Sequence, residues 1–272
     1  MAELRDWTQP SQKALVEYES KGGIAWIRLN DPPANTYSYA MMRQLDDAVL
    51  RARFDDAVHV MVITGAGEKF FCAGANIQML QEVSPTFKYY FCLHANETLN
   101  RLEQTPKLVI AAINGHCVGG GLEIALSADL RFARKGDAKI GLPEVNLGVL
   151  PGTGGTQRLA RTVGRAKAIE LMVEGKKLNV DQAHALGLVN RISTGAEFMR
   201  EAEEYALGFV PPRRASQAVG HIKRAVVSGL ESGLAEGLAL ERELQQRLFI
   251  GEDAAEGIRA YNEKRSPAFK GR

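Results

Sequence analysis

Up to about Gly195 the chain alternates β-rich runs with amphipathic stretches, and beyond that point the strand signals stop. A chain patterned this way builds a sheet flanked by helices first and then adds helices alone. Ala14 to Glu17 and Gly23 to Leu29 read as the arms of a hairpin with a Gly-Gly between them. Ser38 to Phe54 sets Met41, Met42, Leu45, Val49 and Leu50 at helical spacing. His59 to Thr64 and Leu108 to Ile113 are apolar enough to be buried strands, with a helix over Thr86 to Glu103 between them. Gly115 to Gly121 is a glycine-rich turn that runs into a helix over Leu122 to Ser127. After Gly195, four helices are expected at Glu197 to Leu207, Ala215 to Val227, Leu234 to Phe249 and Asp253 to Glu263, interrupted by Pro211-Pro212 and by glycines. The expectation is an α/β core over residues 1–195 and a helical region over 196–272.

Composition narrows the function classes. With 272 residues, 45% of them hydrophobic, the chain can bury a sizeable core without covalent staples. Thirty-four basic against 32 acidic side chains predict no extended polyanion as partner, although a local patch can still hold a small anion. Cys72, Cys92 and Cys117 form no CxxC pair, which speaks against a disulfide framework or a zinc knuckle and for a reducing compartment. The start, MAELRDWTQPSQ, has neither the basic region nor the apolar stretch of a signal peptide, and no apolar run approaches ~20 residues. A cytoplasmic protein with no membrane partner is expected. The five histidines show no metal-ligand spacing, and GxSxG, a P-loop and GxGxxG are all missing. No metal site and no bound redox or nucleotide cofactor are expected.

Two glycine-rich loops and two glutamates remain. The first loop is GAGEKFFCAGANI, residues 65–77, where Gly74 permits a sharp turn. The second is NGHCVGGGLEIAL, residues 114–126, where an expected strand passes through three glycines into a helix. Amides at a helix start are unsatisfied by the helix and sit at the positive end of its dipole. Two such loops meeting would form an oxyanion hole, with two backbone donors aimed at one developing charge. Spacing alone leaves a plainer reading open, in which the glycines are turn chemistry, Glu123 is favoured by the dipole and Glu144 is a surface residue beside a proline.

These residues carry a resemblance. The string NGHCVGGGLEIALSADLRFARKGDAKIGLPEVNLGVLPGTGGTQRL, residues 114–158, resembles the signature of the enoyl-CoA hydratase/isomerase (crotonase) superfamily. AGEKFFCAGANI resembles its first oxyanion loop, and EDAAEGIRAYNEKRSPAFKG its C-terminal end. The resemblance implies a crotonase-like spiral of ββα units with a C-terminal helical region that mediates trimers, often paired into hexamers. It implies an acyl-CoA thioester as substrate, with coenzyme A carried by that substrate. The oxyanion amides would be those of Ala75 and Gly120, and the acid–base pair Glu123 and Glu144. Gly152, in LPGTGG, would offer an amide to the reacting water. Coenzyme A would lie against Pro33 and Ala34 of PPAN, the amides from Ala73 through Ala75 and Asn76 to Ile77, and Tyr261 and Lys264 of a neighbouring subunit's tail.

Glutamate at both 123 and 144 matches members that add water to a 2-enoyl-CoA or remove it from a 3-hydroxyacyl-CoA. The other outcomes the fold allows are Δ3–Δ2 isomerisation, thioester hydrolysis and a branched-chain, methylglutaconyl-type hydratase that also binds RNA. The acidic residues interleaved with Arg43, Arg51 and Arg53 speak against nucleic acid. Two departures stand out: Asn76 follows AGA where many members have Asp, and PPAN lacks the lysine many carry in that turn.

Overall fold

The computed structural model describes residues 7–195 and 197–272. Residues 1–6 of the polar N-terminal stretch, and Ala196 at the expected start of the helical region, lie outside the described residues. The hairpin is β1 (Val16–Lys21) and β2 (Ile24–Leu29), antiparallel with Val16 opposite Leu29. Its first arm sits two residues later and runs longer than expected. VEYESK is mostly exposed, so it has no apolar run to announce it.

Helix α1 (Tyr39–Phe54) follows, and β3 (Val60–Gly65) pairs parallel with β2. Then come β4 (Phe70–Cys72), α2 (Ile77–Glu82), α3 (Pro85–Gln104), β5 (Leu108–Ile113), β6 (His116–Val118) and α4 (Gly120–Leu126). The expected glycine-rich turn at 115–121 thus contains a short strand. After β7 (Leu130–Ala133) and β8 (Ile140–Gly141), a 3-10 turn at Glu144–Leu147 leads to α5 (Gly155–Val163) and α6 (Arg165–Val173). The core closes with β9 (Lys177–Leu178), α7 (Val180–Ala185) and β10 (Arg191–Ile192). The remaining elements are helices: α8 (Phe198–Leu207), α9 (Ser216–Gly229), α10 (Leu234–Phe249) and α11 (Glu252–Asn262). No helix among the described residues is long and apolar enough to cross a membrane.

Two sheets result. The larger has the order β1-β2-β3-β5-β7-β10 and is parallel from β2 onward. Its central strands are buried on both faces, and their side chains divide by alternation. Met61, Ile63, Val109, Ala111 and Ile113 join the main core with α1 and α3. Val60, Val62, Leu108, Ile110 and Ala112 form a second cluster with Phe198, Ala202 and Ala206 of α8 and with Val210. The first helix after Gly195 therefore covers the far face of the sheet, which explains why β3 and β5 read as unbroken apolar runs.

The smaller sheet, β4-β6-β8-β9, matters most for the site. Its pairing of Phe70 with His116 and Cys72 with Cys117 lays the middle of the first glycine-rich loop beside the start of the second. Buried Asn114 clamps this junction, accepting from Gly65 N at 3.0 Å and donating to Gly65 O at 3.0 Å and Gly67 O at 2.7 Å.

Candidate active site

The two loops converge. A Cβ added at Gly74 would lie 3.2 Å from the amide nitrogen of Gly120, and Gly74 has φ +95°. Ala75 bridges Tyr37 in parallel fashion, through Tyr37 N to Gly74 O at 3.0 Å and Asn76 N to Tyr37 O at 2.9 Å. In such a bridge the intervening residue turns its own N–H away from the partner strand. Gly120 opens α4, where a helix leaves its amides unpaired. Neither the Ala75 nor the Gly120 amide has a hydrogen-bond acceptor among the described residues. The consecutive glycines each have a steric reason. A Cβ at Gly119 would lie 3.1 Å from Glu144 Oε1, one at Gly120 would overlap the Tyr37 ring, and one at Gly121 the Cys72 carbonyl.

Glu123, in the first turn of α4, is 2% exposed. Its Oε1 accepts from Thr153 N at 2.7 Å and from Gly155 N at 2.8 Å, and its Oε2 accepts from the Thr153 hydroxyl. Two of the three partners are amides that can only donate, so the carboxyl is held as an acceptor. An ionised carboxylate has about four acceptor positions, and three are filled here. Glu144 begins the 3-10 turn, and its Oε2 is buried with no hydrogen-bond partner among the described residues. Burial, with a smaller contribution from Glu123, raises its pKa to about 7 from an ordinary 4.5, while Lys88 pulls the other way. The two carboxyls thus sit in different environments, Glu123 among donors and Glu144 desolvated, a contrast that acid–base chemistry can use.

The expected coenzyme A turn adjoins the first loop, since Ala73 N donates to Ala34 O at 3.0 Å, and Pro33 is exposed beside it. Asn76 has a local job: its side chain caps α2 by accepting from Met79 N at 2.9 Å, a role Asp would fill equally well. Ile77 is exposed at the start of that helix. Tyr261 and Lys264 are not brought to the site within this chain. Tyr261 is 85% exposed on α11, and Lys264 follows that helix with φ +54°. The Gly152 amide has no acceptor among the described residues, and the amides given to Glu123 come from Thr153 and Gly155, just beyond it.

The sequence reading misses four side chains: Thr153, Tyr37, Lys88 and Cys92. Cys92 Sγ would be 3.3 Å from a Cβ on Gly152, and Lys88 Nζ donates to that sulfur at 3.0 Å. Thr153 lies in LPGTGG, where a hydroxyl after a turn glycine is the available signal. The others lie far from both motifs in the chain, and no spacing connects them. A cavity of about 1010 Å³ is lined by Asn100, Arg158, Asp129 and Lys223 and by neither Glu123 nor Glu144, so cavity volume alone does not locate this chemistry.

Comparison with known proteins decides the family. The model of the enoyl-CoA hydratase/isomerase family matches residues 19–272. The chain belongs to the enoyl-CoA hydratase/isomerase family. A short-chain-enoyl-CoA hydratase of Clostridium acetobutylicum is 38% identical over 259 residues, covering 94% of this chain and 98% of the relative. A crotonyl-CoA hydratase of Syntrophomonas wolfei is 34% identical over 259 residues, covering 95% and 98%. Among solved structures, an enoyl-CoA hydratase from Geobacillus kaustophilus HTA426 superposes with a TM-score of 0.92 at 42% identity, covering 96% of this chain and 98% of that one. The α/β architecture with its C-terminal helices is thus the crotonase-like fold of this family.

Proposed function

We propose that this family member catalyses the reversible syn addition of water across the C2–C3 double bond of a 2-enoyl-CoA, giving the 3-hydroxyacyl-CoA. The observation that carries the reading is the pair of oppositely placed carboxyls beside two unpaired amides. The substrate's thioester oxygen binds the Ala75 and Gly120 amides. Glu123, with one acceptor position left, orients a water and takes its proton as the oxygen bonds to C3. The C=C electron pair moves onto the thioester oxygen as an enolate, which the two amides stabilise. In comparable sites one such donor lowers the barrier by about 3–4 kcal/mol. Collapse of the enolate takes the proton of Glu144 at C2. One proton rests on Glu123 and one has left Glu144, so the net change is one added water, and exchange with solvent restores the resting state.

The coenzyme A moiety lies against Pro33, Ala34 and the Ala73–Ile77 backbone, with Tyr261 and Lys264 supplied by another copy of the chain. Exposed Leu230, Leu234, Phe249 and Ile250 on the helical region 196–272 support self-association into a trimer or hexamer. Light scattering tests this, and a monomer would contradict it. The activity test is an ultraviolet assay of enoyl-thioester loss with a panel of 2-enoyl-CoAs and a 3-enoyl-CoA control. Wild type should consume the 2-enoyl substrates, and Glu123→Gln and Glu144→Gln should each lose roughly 10²-fold or more. Isomerisation of the 3-enoyl-CoA without hydration of any 2-enoyl-CoA would overturn the reading.

A further inference from the structure

Tyr37 touches both loops and the turn that holds Glu123 while belonging to none of the site's motifs. Its backbone pairs with Gly74 and Asn76, which sets the direction of the Ala75 amide between them. Its ring packs on Phe91 of α3 with centroids 5.6 Å apart and occupies the space a Cβ on Gly120 would take. Its hydroxyl lies 3.2 Å from Thr153 Oγ1, and that same oxygen bonds Glu123 Oε2.

The proton count gives this chain of groups a direction. Thr153 has one hydroxyl proton, and an ionised Glu123 can only accept, so the proton points to Oε2. Thr153 Oγ1 then accepts from Tyr37. The phenol is 3% exposed, and burial together with the nearby Glu123 charge pushes its pKa well above the ordinary 10. It therefore keeps its proton and donates. The order runs from Tyr37 through Thr153 to Glu123.

We infer that Tyr37, acting through Thr153, is a positioning residue that holds Glu123 as a proton acceptor in fixed register with the Ala75 and Gly120 amides. The inference rests on the hydration reading and deepens it. The loops supply donors and the glutamates supply acid and base, but their relative placement is set by one residue, whose backbone pairs with the first loop and whose side chain meets the second loop and the turn behind Glu123. A displacement of ~1 Å at such a site can cost about 10²-fold in rate. The groups that influence titration here come from every packed element: Glu144 on the 3-10 turn, Cys72 on β4, and Cys92 and Lys88 on α3. Substitutions at Tyr37 and Thr153 leave all four in place.

The test compares Tyr37→Phe, Thr153→Val and Thr153→Ser with wild type and Glu123→Gln, using crotonyl-CoA and measuring kcat, KM, the pH profile and thermal unfolding. Thr153→Val keeps the shape and loses the hydroxyl. It should lower kcat by about 10–10²-fold with KM changed less than about 2-fold, and move the acidic limb to higher pH because one donor to the carboxylate is gone. Thr153→Ser should recover most of that loss and return the limb. Tyr37→Phe should lower kcat by about 3–10-fold and move the limb the same way. Folded Tyr37→Phe and Thr153→Val proteins with wild-type kcat and limb overturn the inference, as does Thr153→Ser behaving like Thr153→Val. Should Tyr37→Phe fail to fold, the Thr153 pair decides alone. In each of these cases an inactive Glu123→Gln leaves hydration standing, whereas a fully active Glu123→Gln overturns the hydration reading itself.

Discussion

Glu123 and Glu144 reach the same site from two regions built on opposite terms. Glu123 stands on a helix whose every residue is buried, and its carboxyl meets three donors from one turn. Glu144 stands on a 3-10 turn with no buried residue, followed by exposed Val145, Leu147, Val149 and Leu150, and its inner oxygen meets none. The first region surrounds its carboxyl with donors, and the sparse one leaves the Glu144 carboxyl desolvated, with its pKa raised to about 7. In the proposed reaction this difference is what gives one residue type two tasks, because the backbone around it, rather than the side chain, assigns the role.

Glu123→Gln alters the carboxyl that three donors hold and should do the most damage. Activity falls by roughly 10²-fold or more. Stability falls too, by about 1–2 kcal/mol. The amide oxygen can keep the Thr153 and Gly155 amides, but the new NH2 faces the Thr153 hydroxyl, which already accepts from Tyr37 and then has nowhere to place its own proton. Initial rates and urea unfolding check both parts.

Glu144→Gln should cost comparable activity and move stability the other way. The folded-state pKa of about 7 lies above the ordinary 4.5, so the folded protein holds this proton more tightly than the unfolded chain does. The contribution of Glu144 to stability is complete below about pH 4.5 and is lost as pH rises through about 7. At pH 8 the glutamine variant should therefore be more stable than wild type by about 1–2 kcal/mol, a figure discounted for the partial exposure of the carboxyl. In wild type, hydration should slow as pH rises through about 7, because the proton for C2 is gone. A variant that loses stability at pH 8 would show that the carboxylate has a partner there.

Much of this site was legible in the chain. The glycine-rich loops and both glutamates occur in strings long enough to be specific, and the helices after Gly195 declare their bounds through apolar spacing. The smaller sheet was not legible: β4, β6, β8 and β9 are two or three residues long, too short for any alternation to register. Yet that sheet is what brings the loops together. Nor was the bond between Tyr37 and Thr153, which spans 116 residues and has a meaning only once both loops are placed. Tyr261 and Lys264 present the reverse case, since motif resemblance assigns them a role that one chain alone does not place at the site.

Gly119→Ala strikes the contact between the two regions. Gly119 has φ +57°, and a methyl group there would stand 3.1 Å from Glu144 Oε1. The backbone strain alone costs about 1–2 kcal/mol, and relief by movement would shift the neighbouring Gly120 amide. Activity should fall about 10-fold or more through kcat, with the alkaline limb altered because Glu144 is displaced. An unchanged profile would mean that the carboxyl has room to swing aside.

Lys88→Gln should have the mildest consequence of these substitutions. Lys88 is the cation that opposes the proton on Glu144, and its ammonium is engaged by Cys92 Sγ at 3.0 Å without an ion-pair partner among the described residues. Replacing it with Gln removes a positive charge that favours the carboxylate, so the Glu144 pKa should rise further. The alkaline limb of hydration should then move to higher pH by a few tenths of a unit, with the acidic limb and the plateau rate nearly unchanged. Salt separates charge from packing: at high ionic strength wild type should move toward the variant, because a screened Lys88 acts as an absent one. A limb that moves to lower pH, or an acidic limb that moves instead, would mean that Lys88 acts on Glu123. The division of labour between the two glutamates would then need another cause than the one their surroundings supply.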